Sequence, residues 1–191
     1  MKRVRDQHSN VLVLSSGGID STCCLAYYRR DPNNLVKSIF IDYGQTAAKH
    51  ESVSAAKVSE FYNVELQKIE VNSKSRFGDG LINGRNAFLV FTGLMFSPFV
   101  SGVISLGIHG GTHYADCSPL FLKKVQSLVD LYTDGRVTVE APFITFSKKN
   151  IFDLLADFDV PLDSTYSCEL GTKPPCGKCL SCRDRELYYG K

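Results

Sequence analysis

One segment of the chain combines two adjacent glycines with hydroxyl groups and a carboxylate: Ser15-Ser16-Gly17-Gly18-Ile19-Asp20-Ser21-Thr22. Glycine lets a backbone approach an anion closely, and hydroxyls and unpaired N–H groups at a helix start can bind the anion's oxygens. Asp20 adds the kind of oxygen ligand that Mg²⁺ prefers. The segment has neither the lysine of the G-x-x-x-x-G-K-S/T phosphate loop nor the glycine spacing of G-x-G-x-x-G. We therefore expect either a phosphate site made of amides, hydroxyls and Asp20, or a plain glycine turn that Asp20 or Ser21 caps.

Four cysteines near the end of the chain have the spacing C-x7-C-x2-C-x2-C: Cys168, Cys176, Cys179 and Cys182. Thiolates at this spacing suit one tetrahedral Zn²⁺, and an iron–sulfur cluster accepts the same four ligands. Two disulfides are disfavoured because the start of the chain, MKRVRDQHSN, carries no export signal, so we expect a cytoplasmic protein with reduced thiols. Four protein ligands leave no open position on the metal, which predicts a structural site. By holding the tail in place, this site is expected to form one wall of an active site.

Short apolar runs alternate with helix-length amphipathic segments, and this alternation positions the candidate residues. Strands are predicted at residues 10–14, 35–41, 64–71, 103–108 and 136–143, and helices at 20–30, 51–62, 88–96, 119–132 and from Ser147 onward. The pattern predicts an α/β fold, a doubly wound, Rossmann-like, five-stranded parallel sheet that binds its ligand beyond the carboxyl ends of the strands. We expect this domain to span residues 1–160, with a zinc-binding segment at 161–191 packed on it. The helix residues expected to face the core are Cys24, Ala26, Tyr27 and Tyr28, and then Val53, Ala56 and either Val58 or Phe61.

Composition limits the partners of the protein. The 191 residues are 43% hydrophobic and 22% charged, with a formal net charge of +2, which fits one soluble globular domain and is too mild to indicate nucleic acid binding. Residues 87–108 carry no charge and are long enough to cross a bilayer. Gly93, Pro98 and Gly102 interrupt that stretch, however, and residues 103–108 are β-branched like a buried strand. We therefore expect neither a membrane nor a nucleic acid as partner.

The motif S-G-G-x-D-S, directly after the first predicted strand, resembles the PP-loop of the N-type ATP pyrophosphatases, which adenylate a substrate oxygen and release pyrophosphate. The resemblance implies the adenine nucleotide alpha hydrolase-like form of the fold. It also implies a loop that grips the β- and γ-phosphates as a leaving group. Backbone amides and Mg²⁺ can carry the developing charge at such a site, so the loop does not require a lysine.

Five ordered matches extend the resemblance over nearly the whole chain, to the QueC family of 7-cyano-7-deazaguanine synthases. Besides SGGxDS they are DYGQ at 42–45, GRN at 84–86, DC at 116–117 and the cysteine motif, which Arg185 follows by three residues. Lys148 stands where that family has a lysine before the last helix. The resemblance implies an enzyme that uses ATP and Mg²⁺ to adenylate 7-carboxy-7-deazaguanine, lets ammonia form the amide, and activates the amide for dehydration to the nitrile.

The same resemblance implies roles for individual residues. It implies catalytic roles for Asp20, Ser21 and Lys148, and substrate binding by Arg85, Asn86 and Asp116. Without the resemblance, DYG is equally typical of a simple turn, and Arg85 is equally typical of an arginine that pairs with an acidic neighbour. The nucleotide site would comprise the loop residues Ser15, Ser16, Gly17, Gly18, Ile19, Asp20, Ser21 and Thr22 together with Asp42, Tyr43, Gly44 and Gln45.

The tail RDRELYYGK is rich in tyrosine and arginine, which favours a homodimer interface.

Several positions depart from the family pattern, and these are expected to line the substrate side. Thr46-Ala47 replaces an Arg-His pair, Asn83 replaces the proline of PGRN, and the segment 72–81 is shorter than usual. Ala115 and Ser118 replace the proline and the arginine of YPDCR. The sequence therefore keeps the nucleotide half and the metal end of the family pattern and alters the deazaguanine half.

The sequence is also compatible with two other functions. QueC-like proteins of CBASS-type antiviral clusters join a deazaguanine carboxylate to a protein amine, which requires only a different nucleophile for the same acyl-adenylate. A non-catalytic zinc module that binds a nucleotide or nucleic acid would be expected to lack Asp20 or Ser21, and both are present. His109 and His113, beside Gly110-Gly111, are either ligand contacts or solvent-facing loop residues.

Overall fold

The protein folds around one parallel β-sheet, as seen in a computed structural model that describes residues 9–71, 77, 80–112 and 114–189. The strands are β1 (Ser9–Leu14), β2 (Asn34–Asp42), β3 (Glu65–Glu70), β4 (Gly102–Leu106) and β5 (Val137–Glu140). Their spatial order is β3-β2-β1-β4-β5, and every pairing is parallel. The predicted doubly wound, five-stranded α/β sheet is confirmed.

Helices cover both faces of the sheet. They are α1 (Ile19–Arg29), α2 (Ala48–Phe61), α3 (Arg85–Phe96), α4 (Pro119–Thr133), α5 (Lys148–Asp157) and α6 (Leu180–Tyr189), with a short 3₁₀ turn at Leu162–Ser164. Apolar residues of α1, α2 and α5 form one buried cluster with the sheet, and those of α3 and α4 form the other. The helix α6 lies against α5.

The central strand β1 is buried on both faces, which explains its continuous apolar run. Val11 and Val13 point into the cluster with α1 and α5, whereas Leu12 and Leu14 point into the cluster with α3 and α4. Successive side chains of a strand alternate between its faces, so a strand covered on both sides needs apolar residues throughout.

The inward face of α1 follows the prediction at most positions. Cys24, Ala26 and Tyr28 are buried. Tyr27 was predicted to face inward and is exposed, although its ring still packs edge-on against Tyr28 and Phe143. The helix therefore turns this tyrosine to the rim of the core.

The inward face of α2 differs from the prediction. Val53 and Phe61 are exposed and Ala56 is half-buried, so the prediction was wrong for Val53, whereas Val58, the alternative to Phe61, is buried. The loop after β1 packs on α2 at Ser54 and Ala55, because a Cβ on Gly17 would lie 2.4 Å from the backbone nitrogen of Ala55, and a helix that turns these residues inward turns the neighbouring Val53 outward. The residues that α2 buries in the described structure are Ala48, Ser54, Ala55, Val58 and Ser59.

The uncharged stretch 87–108 divides between a helix and a strand. The helix α3 ends at Phe96, and β4 begins at Gly102 on the far side of a turn. Gly93 lies against the sheet, where an added Cβ would be 2.8 Å from the Leu14 side chain. Among the described residues we find no helix with the length and apolarity needed to cross a membrane.

The C-terminal segment packs closely on the sheet domain. The N–H of Tyr166 donates a hydrogen bond to the carbonyl of Gly17 at 3.0 Å. The Arg185 guanidinium donates to the carbonyl of Leu162 and to Thr165 Oγ1, both at 2.9 Å. The Tyr166 bond joins the segment to the loop after β1, and the Arg185 bonds hold the segment together internally. The division at residue 160 itself stays a prediction.

Candidate active site

A cleft of about 590 Å³ lies beyond the carboxyl ends of β1 and β4. The strand order reverses between these two strands, which is where open α/β sheets bind ligands. The loops after β1 and β4, the start of α3 and the C-terminal segment all line the cleft. Its volume suits a ligand the size of a nucleotide or another small molecule.

The loop after β1 brings an open helix start to the cleft. Gly17 takes φ +72°, a backbone conformation that residues with a side chain rarely adopt, and Gly18 stands at the N-cap of α1. In the described structure no side chain caps that helix, so its first-turn N–H groups are available to an anion. Ser15 lines the cleft and is only 3% exposed, and its hydroxyl has no hydrogen-bond partner among the described residues. The loop therefore offers several donors that no described residue uses.

The other hydroxyls of the motif have different roles. Ser16 and Ser21 line the cleft with their hydroxyl oxygens 3.2 Å apart. Thr22 is fully buried and its hydroxyl donates to the carbonyl of Gly18 at 2.8 Å. Ile19 packs in the core below the loop. The cleft thus meets Ser16 and Ser21 directly, whereas Thr22 stabilises the turn.

Asp20 and Lys148 meet at the floor of the cleft from opposite ends of the chain. The Lys148 ammonium donates to both carboxylate oxygens of Asp20, at 2.7 and 2.8 Å. His109, on the loop after β4, is buried, and its Nε2 lies 4.0 Å from Asp20 Oδ2. Burial and the nearby Lys148 lower the pKa of His109, while Asp20 acts to raise it. His109 is therefore a cleft residue, not a solvent-facing one, and His113 lies outside the described residues.

The DYGQ segment supplies two cleft residues and two turn residues. Tyr43 and Gln45 line the cleft. The carboxylate of Asp42 accepts a hydrogen bond from the N–H of Gly44 at 2.9 Å, so these two residues hold the turn and do not reach the cleft wall. The Gln45 amide donates to Glu51 at 2.9 Å. Burial raises the pKa of Glu51, and Gln45 acts to lower it.

The three residues expected to bind substrate lie close together but face different ways. Arg85 lines the cleft. Asn86 also lines the cleft but is 2% exposed, and its side-chain amide donates to the carbonyl of Asp116 at 3.0 Å. Asp116 is not part of the cleft wall, and its Oδ1 is buried without a hydrogen-bond partner in the described structure. Among the three, Arg85 is the one that presents its charge to a ligand.

The positions that depart from the family pattern include a helix cap. Ser118 caps α4, accepting from the N–H of Phe121 at 3.2 Å and donating to the carbonyl of Ala115 at 2.7 Å. Asn83 and Ala115 are exposed. Of the shortened segment 72–81, residues 72–76, 78 and 79 lie outside the described structure. Ser118 therefore caps the helix and does not supply the guanidinium that the family pattern has at this position.

The four cysteines of the tail converge on one point. Their sulfur atoms all lie within 4.8 Å of one another, and those of Cys176 and Cys182 are 3.9 Å apart. Backbone N–H groups donate to the sulfurs of Cys168 and Cys176 at 3.3 to 3.4 Å, as expected around thiolates. This donor set fits a tetrahedral metal ion, because four Zn–S bonds of about 2.3 Å require sulfurs about 3.8 Å apart.

The cysteines also differ in how readily they ionise. Burial acts to raise the pKa of Cys168, but backbone N–H groups lower it to about 5. Backbone N–H groups likewise lower the pKa of Cys176. Burial raises the pKa of Cys179, and burial with the neighbouring thiols raises that of Cys182 to about 12. A divalent cation among them would allow all four to ionise.

Several residues of the cleft were missed in the sequence. Asp184, on α6, lines the cleft opposite Lys148. Burial raises the pKa of Asp184, and Lys148 acts to lower it. Glu169 also lines the cleft and accepts hydrogen bonds from the N–H and the hydroxyl of Ser181 at 3.0 and 2.8 Å. The only signal for these carboxylates was their position beside the cysteines that fold the tail back.

Comparison with known proteins gives the family of the chain. The family model described as "Queuosine biosynthesis protein QueC" matches residues 10–87 and 79–191. The chain belongs to the QueC family. This QueC chain is 29% identical to the 7-cyano-7-deazaguanine synthase of Prochlorococcus marinus (strain MIT 9312), an alignment that covers 97% of the chain and 95% of the relative. The synthase of Aquifex aeolicus (strain VF5) is 29% identical, with 94% and 96% covered. A further Prochlorococcus marinus relative, from strain NATL2A, is 31% identical, with 94% and 92% covered.

A solved structure shares the fold of this QueC chain. It is the U34-tRNA thiolase NcsA from Methanococcus maripaludis, with its 4Fe-4S cluster, which aligns with a TM-score of 0.58 at 16% identity. The alignment covers 97% of this chain and 66% of the thiolase. At this identity the likeness concerns the sheet and its helices alone.

Proposed function

We propose that this protein uses ATP to adenylate the carboxylate of a 7-deazaguanine, 7-carboxy-7-deazaguanine, and passes the activated acyl group to an amine. With ammonia as the amine, a second activation of the resulting amide would yield 7-cyano-7-deazaguanine. The observation that carries the proposal is the open start of α1 beside the Asp20–Lys148 pair, at the strand reversal of a QueC-family chain.

The nucleotide would lie with its terminal phosphates on the loop after β1. The free N–H groups of α1 and the hydroxyls of Ser16 and Ser21 would bind phosphate oxygens. Lys148 places a cation beside this loop, where it would stabilise charge on the phosphates as the carboxylate attacks the α-phosphorus. Asp20, whose carboxylate pairs with Lys148 in this structure, would bind Mg²⁺, which would supply Lewis-acid stabilisation of the leaving pyrophosphate. Tyr43 and Gln45 would contact the adenosine or the base of the substrate.

Arg85 would orient the acid for this attack. A guanidinium can bind a carboxylate through two parallel hydrogen bonds, which fixes the direction of the oxygens. Asn86 would act indirectly, because its amide holds the loop of Asp116. Expelling AMP then requires only that the amine reach the carbonyl carbon, since the adenylate is already activated.

The four-cysteine centre would hold zinc and act as a structural site. Four thiolates fill a tetrahedral coordination sphere and leave no position for substrate. An iron–sulfur cluster accepts the same ligands, and the thiolase of similar fold carries one. Zinc is preferred because one ion fits sulfurs that lie within 4.8 Å of one another.

A second candidate acceptor is a protein amine, as in the QueC-like conjugating enzymes of CBASS-type antiviral clusters. The observation that favours it is the altered substrate side, where Ser118 serves as a helix cap and Ala115 is exposed. The adenylation step is common to both functions. The two differ in whether a nitrile forms.

A homodimer also remains part of the proposal. Leu187 and Tyr189 on α6 are 73% and 54% exposed, and apolar side chains of this kind favour subunit contact. Light scattering coupled to size-exclusion chromatography should give twice the mass of one chain, and the mass of one chain would contradict the dimer.

The proposal is tested by product analysis. Purified protein is incubated with ATP, Mg²⁺ and 7-carboxy-7-deazaguanine, with and without ammonium, and the products are followed by mass spectrometry. Formation of pyrophosphate, AMP and a nitrile would support the synthase, and pyrophosphate with an adenylate or amide but no nitrile would favour the conjugating enzyme. Absence of acid-dependent pyrophosphate release would overturn the adenylation proposal.

A further inference from the structure

Three hydroxyls in the cleft are buried and have no hydrogen-bond partner in the described part of the chain: those of Ser15, Thr112 and Ser167. All three residues line the cleft. Buried hydroxyls are nearly always hydrogen-bonded, so three that share one cleft indicate a ligand that supplies the missing partners. Ser15 belongs to the loop after β1, whereas Ser167 belongs to the cysteine segment, for which the proposed function gives no contact with the nucleotide.

The backbone fixes Ser167 beside the loop after β1. Its neighbour Tyr166 donates an N–H hydrogen bond to the carbonyl of Gly17 at 3.0 Å. The carbonyl of Tyr166 would lie 3.5 Å from a Cβ added to Gly18. Ser167 therefore stands next to the uncapped start of α1.

The cysteine cluster holds Ser167 from its other side. The next residue, Cys168, is 2% exposed, and its sulfur accepts a hydrogen bond from the N–H of Cys176 at 3.4 Å. The ring of Tyr166 stacks on that of His50 with the ring centroids 4.9 Å apart, and the Tyr166 hydroxyl donates to the carbonyl of Thr172 at 2.8 Å. Ser167 is thus held between the phosphate loop and the cysteine cluster, with little freedom to move.

We infer that the Ser167 hydroxyl donates a hydrogen bond to a terminal phosphate oxygen of the nucleotide. The cysteine segment is then part of the phosphate site, and the metal that folds it supports nucleotide affinity as well as the fold. This inference rests on the proposed function to the extent that the cleft binds ATP. It adds a phosphate ligand that the glycine loop does not contain.

The test measures binding without turnover. Calorimetry on the zinc-loaded chain with Mg²⁺ compares an ATP analogue, whose α,β-bridging oxygen is a methylene group, with pyrophosphate and with AMP. Ser167→Ala should bind the analogue and pyrophosphate roughly tenfold or more weakly, the loss expected for a hydrogen bond to a charged group. Its affinity for AMP should equal that of the wild-type chain. Ser164→Ala, in the same segment but outside the cleft wall, serves as the control and should bind all three ligands like the wild type.

Two outcomes would overturn the inference. One is a Ser167→Ala protein that holds zinc, melts like the wild type and binds the analogue with unchanged affinity. If that variant loses zinc, Ser167→Thr and Ser167→Val decide, because they share a shape and differ in the hydroxyl: tighter binding by Thr supports the inference and equal binding overturns it. A wild-type chain that binds neither the analogue nor pyrophosphate would instead overturn the proposed function itself.

Discussion

At the residue scale, the charges of the cleft are supplied by residues far apart in the chain. The loop after β1 has no lysine, yet the Lys148 ammonium lies 2.7 Å from Asp20. That ion pair is partly buried, because the side chains of Lys148 and Asp20 are 16% and 28% exposed. The cation usually found in a phosphate loop thus comes from the first residue of α5.

Replacing Asp20 tests the metal role of this pair. Asp20→Ala should lower the rate of AMP formation by about 100-fold or more, because both the Mg²⁺ ligand and the partner of Lys148 are lost. The control is Asp153→Ala, which removes a carboxylate paired with Lys149 at 2.8 Å on the exposed face of α5. That variant should turn over normally. Circular dichroism should show both variants folded, and normal AMP formation by Asp20→Ala would contradict the role.

Replacing Arg85 tests the orientation of the acid. Arg85→Ala should raise the KM for the carboxylate substrate about tenfold or more, the effect of a lost charged hydrogen bond. The KM for ATP should change little. Arg136→Ala removes an exposed arginine paired with Asp134 and is the matched control. An equal rise in both KM values would place Arg85 in the nucleotide site and contradict the assignment.

At the scale of elements, the strands and most helices could be predicted because their signals are local. The run at residues 11–14 is buried on both faces, and such runs are typical of parallel sheets. The start of α3 was predicted at Phe88 and lies at Arg85. The buried face of α2 was predicted wrongly at Val53, because it depends on the contact of Gly17 with Ala55, and periodicity does not contain that contact.

That contact gives a stability prediction. Gly17 and Gly135 have nearly the same φ, +72° and +70°, but a Cβ on Gly17 would meet the backbone of Ala55 at 2.4 Å, whereas a Cβ on Gly135 would have no described atom within 4 Å. Gly135→Ala should therefore lower the free energy of unfolding by about 1 kcal/mol, the cost of the left-handed backbone alone. Gly17→Ala should lower it by about 3 kcal/mol or more, because α2 must also move. Urea denaturation measures both, and equal losses would contradict the close approach.

At the scale of the whole molecule, the C-terminal segment completes the cleft. The sequence indicated the cysteine cluster and predicted that the tail forms one wall of the active site. Tyr166 and Glu169 of this tail line the cleft, as that prediction requires. It did not indicate Asp184 or Ser167. These residues approach Lys148 and Gly17 only after the tail has folded back, so apart from their place beside the cysteines no local pattern marks them.

Metal analysis tests the centre that folds this segment. The purified chain should contain about one zinc ion and no stoichiometric iron, since four thiolates bind one tetrahedral ion. Cys176→Ser should lose the zinc and melt at a lower temperature, because a structural metal contributes to folding. Cys117→Ser replaces a buried cysteine outside the cluster and should retain the ion. A stable metal-free protein, or one with iron and sulfide, would contradict the zinc centre.

Adenylation of a carboxylate transfers one oxygen atom from the substrate to AMP. When the carboxylate attacks the α-phosphorus, pyrophosphate leaves, and the amine later displaces AMP together with one carboxylate oxygen. Turnover of 7-carboxy-7-deazaguanine labelled with ¹⁸O in its carboxylate should therefore yield AMP that carries one ¹⁸O, detected by mass spectrometry. AMP without the label, in the presence of the acid and Mg²⁺, would contradict adenylation of the carboxylate.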